Sequence, residues 1–188
     1  MTVRSAAHYG SVREAAVAGR FYPADPKRLA ATVDGLLAVA AAPAPGAPAP
    51  VALIVPHAGY VYSGPVAASG YARLAPLRSR VRRVVVLGPP HFRSVATAVV
   101  PTVAAFRTPL GVLPVDVDRC AQLVHRGFAV AADGPHTPEH SLEVQLPFLQ
   151  RTLEPGWALL PIVVGAGRRR CRAPRCGHGR DHAGRVQH

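Results

Sequence analysis

Val51 to Tyr60 reads VALIVPHAGY, and Arg83 to His91 reads RVVVLGPPH. In both, a short continuous apolar run ends in proline and then histidine. Such runs suit strands buried on both faces of a mostly parallel sheet, although periodicity alone does not separate them from buried helix. The segment between them has room for a helix, from about Pro65 to Leu74. Strand, helix, strand at this spacing predicts a right-handed βαβ unit. Ligands of open α/β sheets sit beyond the carboxyl ends of the strands. His57 and His91 are then delivered to one edge, where chemistry is expected, whereas a single Pro-His would more often be a hydrogen-bonded loop residue.

Working outward, Val12 to Pro23 (VREAAVAGRFYP) reads as an extended arm closing on an aromatic pair. Asp25-Pro26 supplies an N-cap and a first-turn proline. Leu29, Val33, Leu36, Leu37 and Ala40 follow at helical spacing, so an amphipathic helix is expected to about Ala42. Pro43 to Pro50 (PAPGAPAP) is a stiff connector that excludes helix and central strand. Thr97 to Val100 is an expected strand, and Phe106 to Gly111 a loop or hairpin. Asp116 to Arg126 is an expected helix with Val117, Cys120, Ala121 and Val124 inward, stopped by Gly127. Pro138 to Leu149 (PEHSLEVQLPFL) is an expected helix, capped by Ser141 and kinked at Pro147, with Leu142, Leu146 and Leu149 as its apolar stripe. Trp157 to Val164 is a further core strand.

The site candidates come from these stretches. His140, at a helix start, is expected to stay neutral and able to bind metal or accept a proton. Glu139 divides evenly between a cap and a site group, and Glu143 between a solvated or salt-bridged helix residue and a functional one. Tyr60 is a candidate pocket wall. Two histidines and one anionic ligand with open positions form the set that lets Fe(II) hold dioxygen and substrate together. On that pattern His57, His91, His140 and Glu139 are the candidate ligand and acid–base residues.

Composition limits the alternatives. The chain has 188 residues, 49% hydrophobic, enough for one domain with a sizeable core. No run of about 18 apolar residues marks a membrane span, and the N-terminus has no signal-peptide pattern, so the expected location is cytoplasmic. The formal charge is +12. Residues 166–188 carry seven arginines against one aspartate, half of that excess in a short stretch. Arginine-, alanine-, proline- and glycine-rich usage fits GC-rich coding, and no nucleic-acid reading module is visible. Nucleic acid is not an expected partner. Three cysteines, an odd number, argue against a disulfide framework. Cys120 is expected to be a small core residue.

In order along the chain, REAAVAGRFYP, VPHAGYVYSGPVAASGY, VVVLGPPH, FRTPLG, EHSLEVQLPFL and LLPIVVG resemble the Memo family. That family is also called protein B of the AmmeMemoRadiSam system. The resemblance covers about residues 12–165. It implies an α/β fold, with a mostly parallel or mixed central sheet flanked by helices, like the B subunit of class III extradiol dioxygenases. It implies a pocket whose histidines match His57, His91 and His140, with Fe(II) or copper as cofactor in some members; on that resemblance His57 and His91 are assigned as metal ligands, His140 as a nearby acid or base, and Glu139 as a weaker candidate for either role. It also implies redox activity or recognition of phosphotyrosine-type peptides in eukaryotic relatives. Radical-SAM and AMMECR-type proteins are implied as partners by the system's name.

The resemblance stops at Gly165. Family members continue into another strand and a serine-serine-aspartate segment that adds a site group. Here the chain continues as AGRRRCRAPRCGHGRDHAGRVQH. The expectation is residues 1–165 as the N-terminal part of a C-terminally truncated domain with an incomplete site. Residues 166–188 are then a basic tail, read as a frame-shifted product, a genuine disordered segment, or a small metal site from Cys171, Cys176, His178 and His182. Three functional readings stand: a metal-binding, dioxygenase-like protein; a non-enzymatic binder of a peptide, partner or small molecule; and a non-functional product.

Overall fold

The computed structural model describes residues 10–41, 44 and 47–165. The alternative readings of residues 166–188 therefore fall outside the described residues.

The arm begins with β1 (Val12–Arg13), which pairs in parallel with β4 (Ala105–Thr108). The helix α1 (Pro26–Val39) starts as the sequence predicts. Asp25 accepts the Arg28 amide at 2.7 Å, and Pro26 occupies the first turn, where its missing N–H costs nothing. It buries Leu29 and Val33 completely and packs on α2 (Tyr60–Tyr71) and α4 (Leu146–Thr152).

The Val51–Val55 expectation is corrected. This segment joins no sheet among the described residues, and Val51 and Ile54 are fully exposed. An apolar run becomes a strand only where another backbone lies alongside it to share hydrogen bonds, and no described strand does. The βαβ unit is therefore not formed. Helix α2 (Tyr60–Tyr71) also begins five residues before the expected Pro65, which lies inside it. It packs on α1 and α4 and buries Ala67, Ala68 and Tyr71, while Val61, Tyr62 and Val66 are exposed. A 3-10 turn over Ala72–Leu77 follows.

The second run does form a strand, β2 (Arg83–Gly88). It pairs in parallel with β7 (Ala158–Val164), from Arg83 opposite Ala158 to Gly88 opposite Val163. β3 (Ala98–Val100) pairs antiparallel with β7 and parallel with β6 (Ala129–Ala131). The sheet order is β2-β7-β3-β6, a mixed sheet with β2 at an edge. Most of β7 is buried, as its unbroken apolar sequence implies. Pro161, unusual in an inner strand, lies where β7 pairs with β2 but not yet with β3. β4 and β5 (Gly111–Pro114) form the expected hairpin and, with β1, a second sheet.

Helix α3 (Val117–His125) has its cap at Asp116, which accepts the Arg119 amide, and its stop at Gly127, whose φ is +72°. Only Cys120 in it is fully buried. Ala121 and Val124 are exposed rather than inward, because α3 is a peripheral helix that packs on β6 and the end of β7.

The Pro138–Leu149 stretch is not one kinked helix. A 3-10 turn (Glu143–Gln145) precedes α4 (Leu146–Thr152), and Pro147 sits in the first turn of α4, where no amide is needed. Ser141 is not its cap. The Ser141 hydroxyl instead donates to the Pro89 carbonyl at 2.9 Å and joins this segment to the end of β2. Leu142, Leu146 and Leu149 are all buried.

Candidate metal centre

Three loops meet at the carboxyl end of β2. Pro89-Pro90-His91 continues β2, residues 136–142 carry His140, and His57 follows the unpaired Val51–Val55 segment. The approach of the first two requires Gly88: a Cβ there would lie 2.5 Å from Ser141 Oγ and 2.8 Å from Leu142 Cδ2. Any side chain on Gly88 would push the two loops apart.

The three predicted histidines converge. The rings of His91 and His140 stack with centroids 4.3 Å apart. His57 lies 5.1 Å from His91 and 6.0 Å from His140. Glu139 joins His91 and His140, with ligand atoms of all three within 4.8 Å of one another, and His57 lies outside that group. Phe21, from the aromatic pair closing the arm, packs on His140 at 4.6 Å, and the edge of Phe92 meets it at 5.9 Å.

Glu139 is buried and its carboxylate is heavily engaged. Oε2 accepts the His91 amide at 2.6 Å. Oε1 accepts His91 Nδ1 at 2.8 Å and the amides of His140 and Ser141 at 2.9 Å each. Burial alone would raise its pKa, but the hydrogen bonds from His91 and Ser141 win and hold it at about 2. An ionised carboxylate only accepts, so Nδ1 of His91 carries a proton, and in the neutral ring the lone pair is on Nε2. His140 Nδ1 lies 3.5 Å from Glu139 Oε1 and is buried without a hydrogen-bond partner.

Burial lowers the pKa of His57 and His140, and the charge of a protonated His91 would lower both further. Glu139 opposes the shift in each. Both are therefore neutral in neutral solution and hold an unprotonated ring nitrogen. Three imidazoles beside a carboxylate that orients one of them are a donor set suited to iron, copper or zinc. The orphaned Nδ1 of His140 also fits a site that completes its coordination with an ion.

Tyr60 is corrected from pocket wall to core. It is 6% exposed, its hydroxyl donates to the Val144 carbonyl at 2.8 Å, and its ring packs on Tyr22 and Phe148. Glu143 is not a solvated helix residue. It is wholly buried and ion-paired with Arg13. No local sequence signal marks Arg13, Tyr22 or His136. Arg13 and Glu143 are 130 positions apart, and no local periodicity links them. His136 is 1% exposed, with Nε2 against the Val99 carbonyl at 3.0 Å.

A half-open cleft of about 580 Å³ borders His91, lined also by Pro89, Phe92, Arg93, Val95 and Val164. No helix among the described residues is long and apolar enough to cross a membrane.

A mixed α/β protein with a histidine–glutamate cluster at the end of a sheet strand is the class that fold and site define. The model of the Memo-like protein family matches residues 13–177. Relatives include a MEMO1 family protein of Aquifex aeolicus, 40% identical over 153 residues, covering 81% of this chain and 55% of that protein. Another, from Ignicoccus hospitalis, is 39% identical over 162 residues, covering 81% and 56%. Protein MEMO1 of Xenopus tropicalis is 37% identical over 158 residues, covering 82% and 52%. The chain belongs to the Memo family, and it spans about half the length of these curated relatives.

Proposed function

We propose that this chain binds a first-row transition metal ion at His57, His91 and His140. The observation that carries the reading is the pair of bonds from His91 to Glu139. They fix the tautomer of His91 and leave its Nε2 lone pair for an ion. Iron(II) or copper are the ions proposed, and either supplies a Lewis-acidic, redox-active centre when bound. Glu139 acts here as the residue that orients His91. With four protein donors already on its carboxylate, it is a poor ligand and a poor proton acceptor. His57 and His91 are the assigned ligands. His140, shielded by Phe21, serves either as a third ligand or as the neutral base that takes a proton from a bound molecule. The relationship to extradiol dioxygenases belongs to this reading, as does any role in a radical-SAM and AMMECR-type system.

Anaerobic titration with Fe(II), and separately with Cu(II), tests the reading. Wild type should bind one equivalent. His57→Ala and His91→Ala should each abolish or severely weaken binding. His140→Ala should abolish it if His140 is a ligand and leave it nearly intact if His140 is the base. Stoichiometric binding that survives both ligand substitutions sinks the proposal.

The cleft beside His91 favours a second reading, a site for a peptide or small anion held against exposed Phe92 and Arg93. That reading requires ligand retention in His91→Ala without metal, and the metal reading requires the opposite.

A further inference from the structure

We infer that the buried Arg13–Glu143 ion pair is the device that positions the histidine site. The inference rests on the metal-binding reading for its purpose but not for its geometry. Arg13 comes from β1, and Glu143 opens the 3-10 turn after the His140 loop. Their side chains are 4% and 0% exposed. The Glu143 carboxylate accepts the Arg13 guanidinium, the Tyr22 hydroxyl, and the amides of Ala16 and Val17 at 2.8 and 3.0 Å. Arg13 then uses its remaining donors on three carbonyls of one loop: His136 at 3.1 Å, Thr137 at 3.2 Å and Glu139 at 2.7 Å.

One ion pair therefore grips two segments. On one side it holds the arm that brings Phe21 onto His140. On the other it holds the backbone from which Glu139 reaches His91 and on which His140 is carried. The planar fork of arginine suits this task. Its donors point in fixed directions, whereas a lysine ammonium is a point charge on a flexible stem. Stability alone does not explain the pair, because a buried pair is often matched or exceeded by apolar residues of similar volume. Its specific product is the fixed conformation of residues 136–140. Arg13 and Glu143 are thus positioning residues, acting on His91 through Glu139.

The test compares Arg13→Lys with Val33→Ala. Val33 is a fully buried core residue of α1, and its truncation destabilises without touching the loop. Two quantities are measured on the full chain at neutral pH: the ¹⁵N shifts of the His91 ring, which report its tautomer without metal, and Co(II) affinity. Arg13→Lys should move His91 from a single Nδ1-protonated tautomer towards a mixture and weaken Co(II) binding about ten-fold, the range for lost outer-shell partners. Val33→Ala should move neither, even with a similar loss in urea midpoint. An unchanged His91 tautomer in Arg13→Lys, or equal disturbance in Val33→Ala, overturns the inference. Should Arg13→Lys not fold, Tyr22→Phe removes one bond to Glu143 and must give a smaller tautomer change of the same sign. No change there overturns the inference too. Should wild type bind no Co(II), the metal reading fails and the tautomer measurement alone decides this one.

Discussion

Glu139 closes on His91 with both oxygens, Oε2 on the backbone amide at 2.6 Å and Oε1 on ring Nδ1 at 2.8 Å. Backbone and ring of one histidine are thus held by one carboxylate. Glu139→Gln keeps the volume but replaces one acceptor oxygen by a donor, so at least one of these bonds becomes an N–H against N–H contact. Metal affinity should fall roughly 10- to 100-fold, measured by competition with a chelating dye. Affinity equal to wild type would remove Glu139 from the orienting role.

His136 gives a pH dependence of defined sign. Burial and the nearby charge of Arg13 depress its pKa to about 4, against the opposing pull of its bond to Val99 and of Asp133 and Glu139. The unfolded chain therefore takes up a proton near pH 6.5, before the folded chain does. Its share of stability is intact above pH 6.5 and is lost as pH falls to about 4, a loss of roughly 3 kcal/mol from the shift. Urea midpoints should decline over that window in wild type. In His136→Gln the decline should be shallower, and an unchanged slope would show that His136 does not carry it.

Gly88→Ala should cost about 1–3 kcal/mol through overpacking, because the new methyl meets Ser141 and Leu142. The strain falls on the hydrogen bond from Ser141 to the Pro89 carbonyl, so metal affinity should fall with stability. Denaturation and Co(II) titration of the same sample check both. A stable variant with full affinity would mean that the loops have slack.

Val51 and Ile54 are fully exposed. Threonine at either position should change stability by less than about 0.5 kcal/mol, while Leu29→Ala should cost about 2–5 kcal/mol. Hydrogen exchange offers a second check, since the amides of 51–55 have no sheet partner and should exchange fast. Protection of these amides comparable to that of β7 would restore the strand that the sequence predicts.

Much of the site was legible because its residues carry local signals. Proline-histidine at the end of an apolar run marked His57 and His91, and the EHS triplet marked Glu139 and His140. The cap at Asp25 and the stop at Gly127 were equally local. Non-local facts were not legible. Nothing in VALIV reports whether a second backbone runs beside it. The apolar spacing of Asp116–Arg126 does not reveal that α3 lies at the periphery. Pro147 fits a helix start as well as a kink, and only the turn before it decides. Arg13, 130 positions from Glu143, reads as an ordinary charged residue in an extended arm.

The unpaired course of Val51–Val55 has a consequence for His57. His91 follows directly from a hydrogen-bonded strand, and His140 leaves a loop gripped at three carbonyls. His57 is suspended between two moorings, the Gln145 amide on the Pro56 carbonyl at 3.3 Å and the Ser63 hydroxyl on the Ala58 carbonyl at 2.8 Å. His57 is therefore the ring whose flanking backbone is tied by side chains alone, so its place in the trio depends on Gln145 and Ser63 rather than on a sheet.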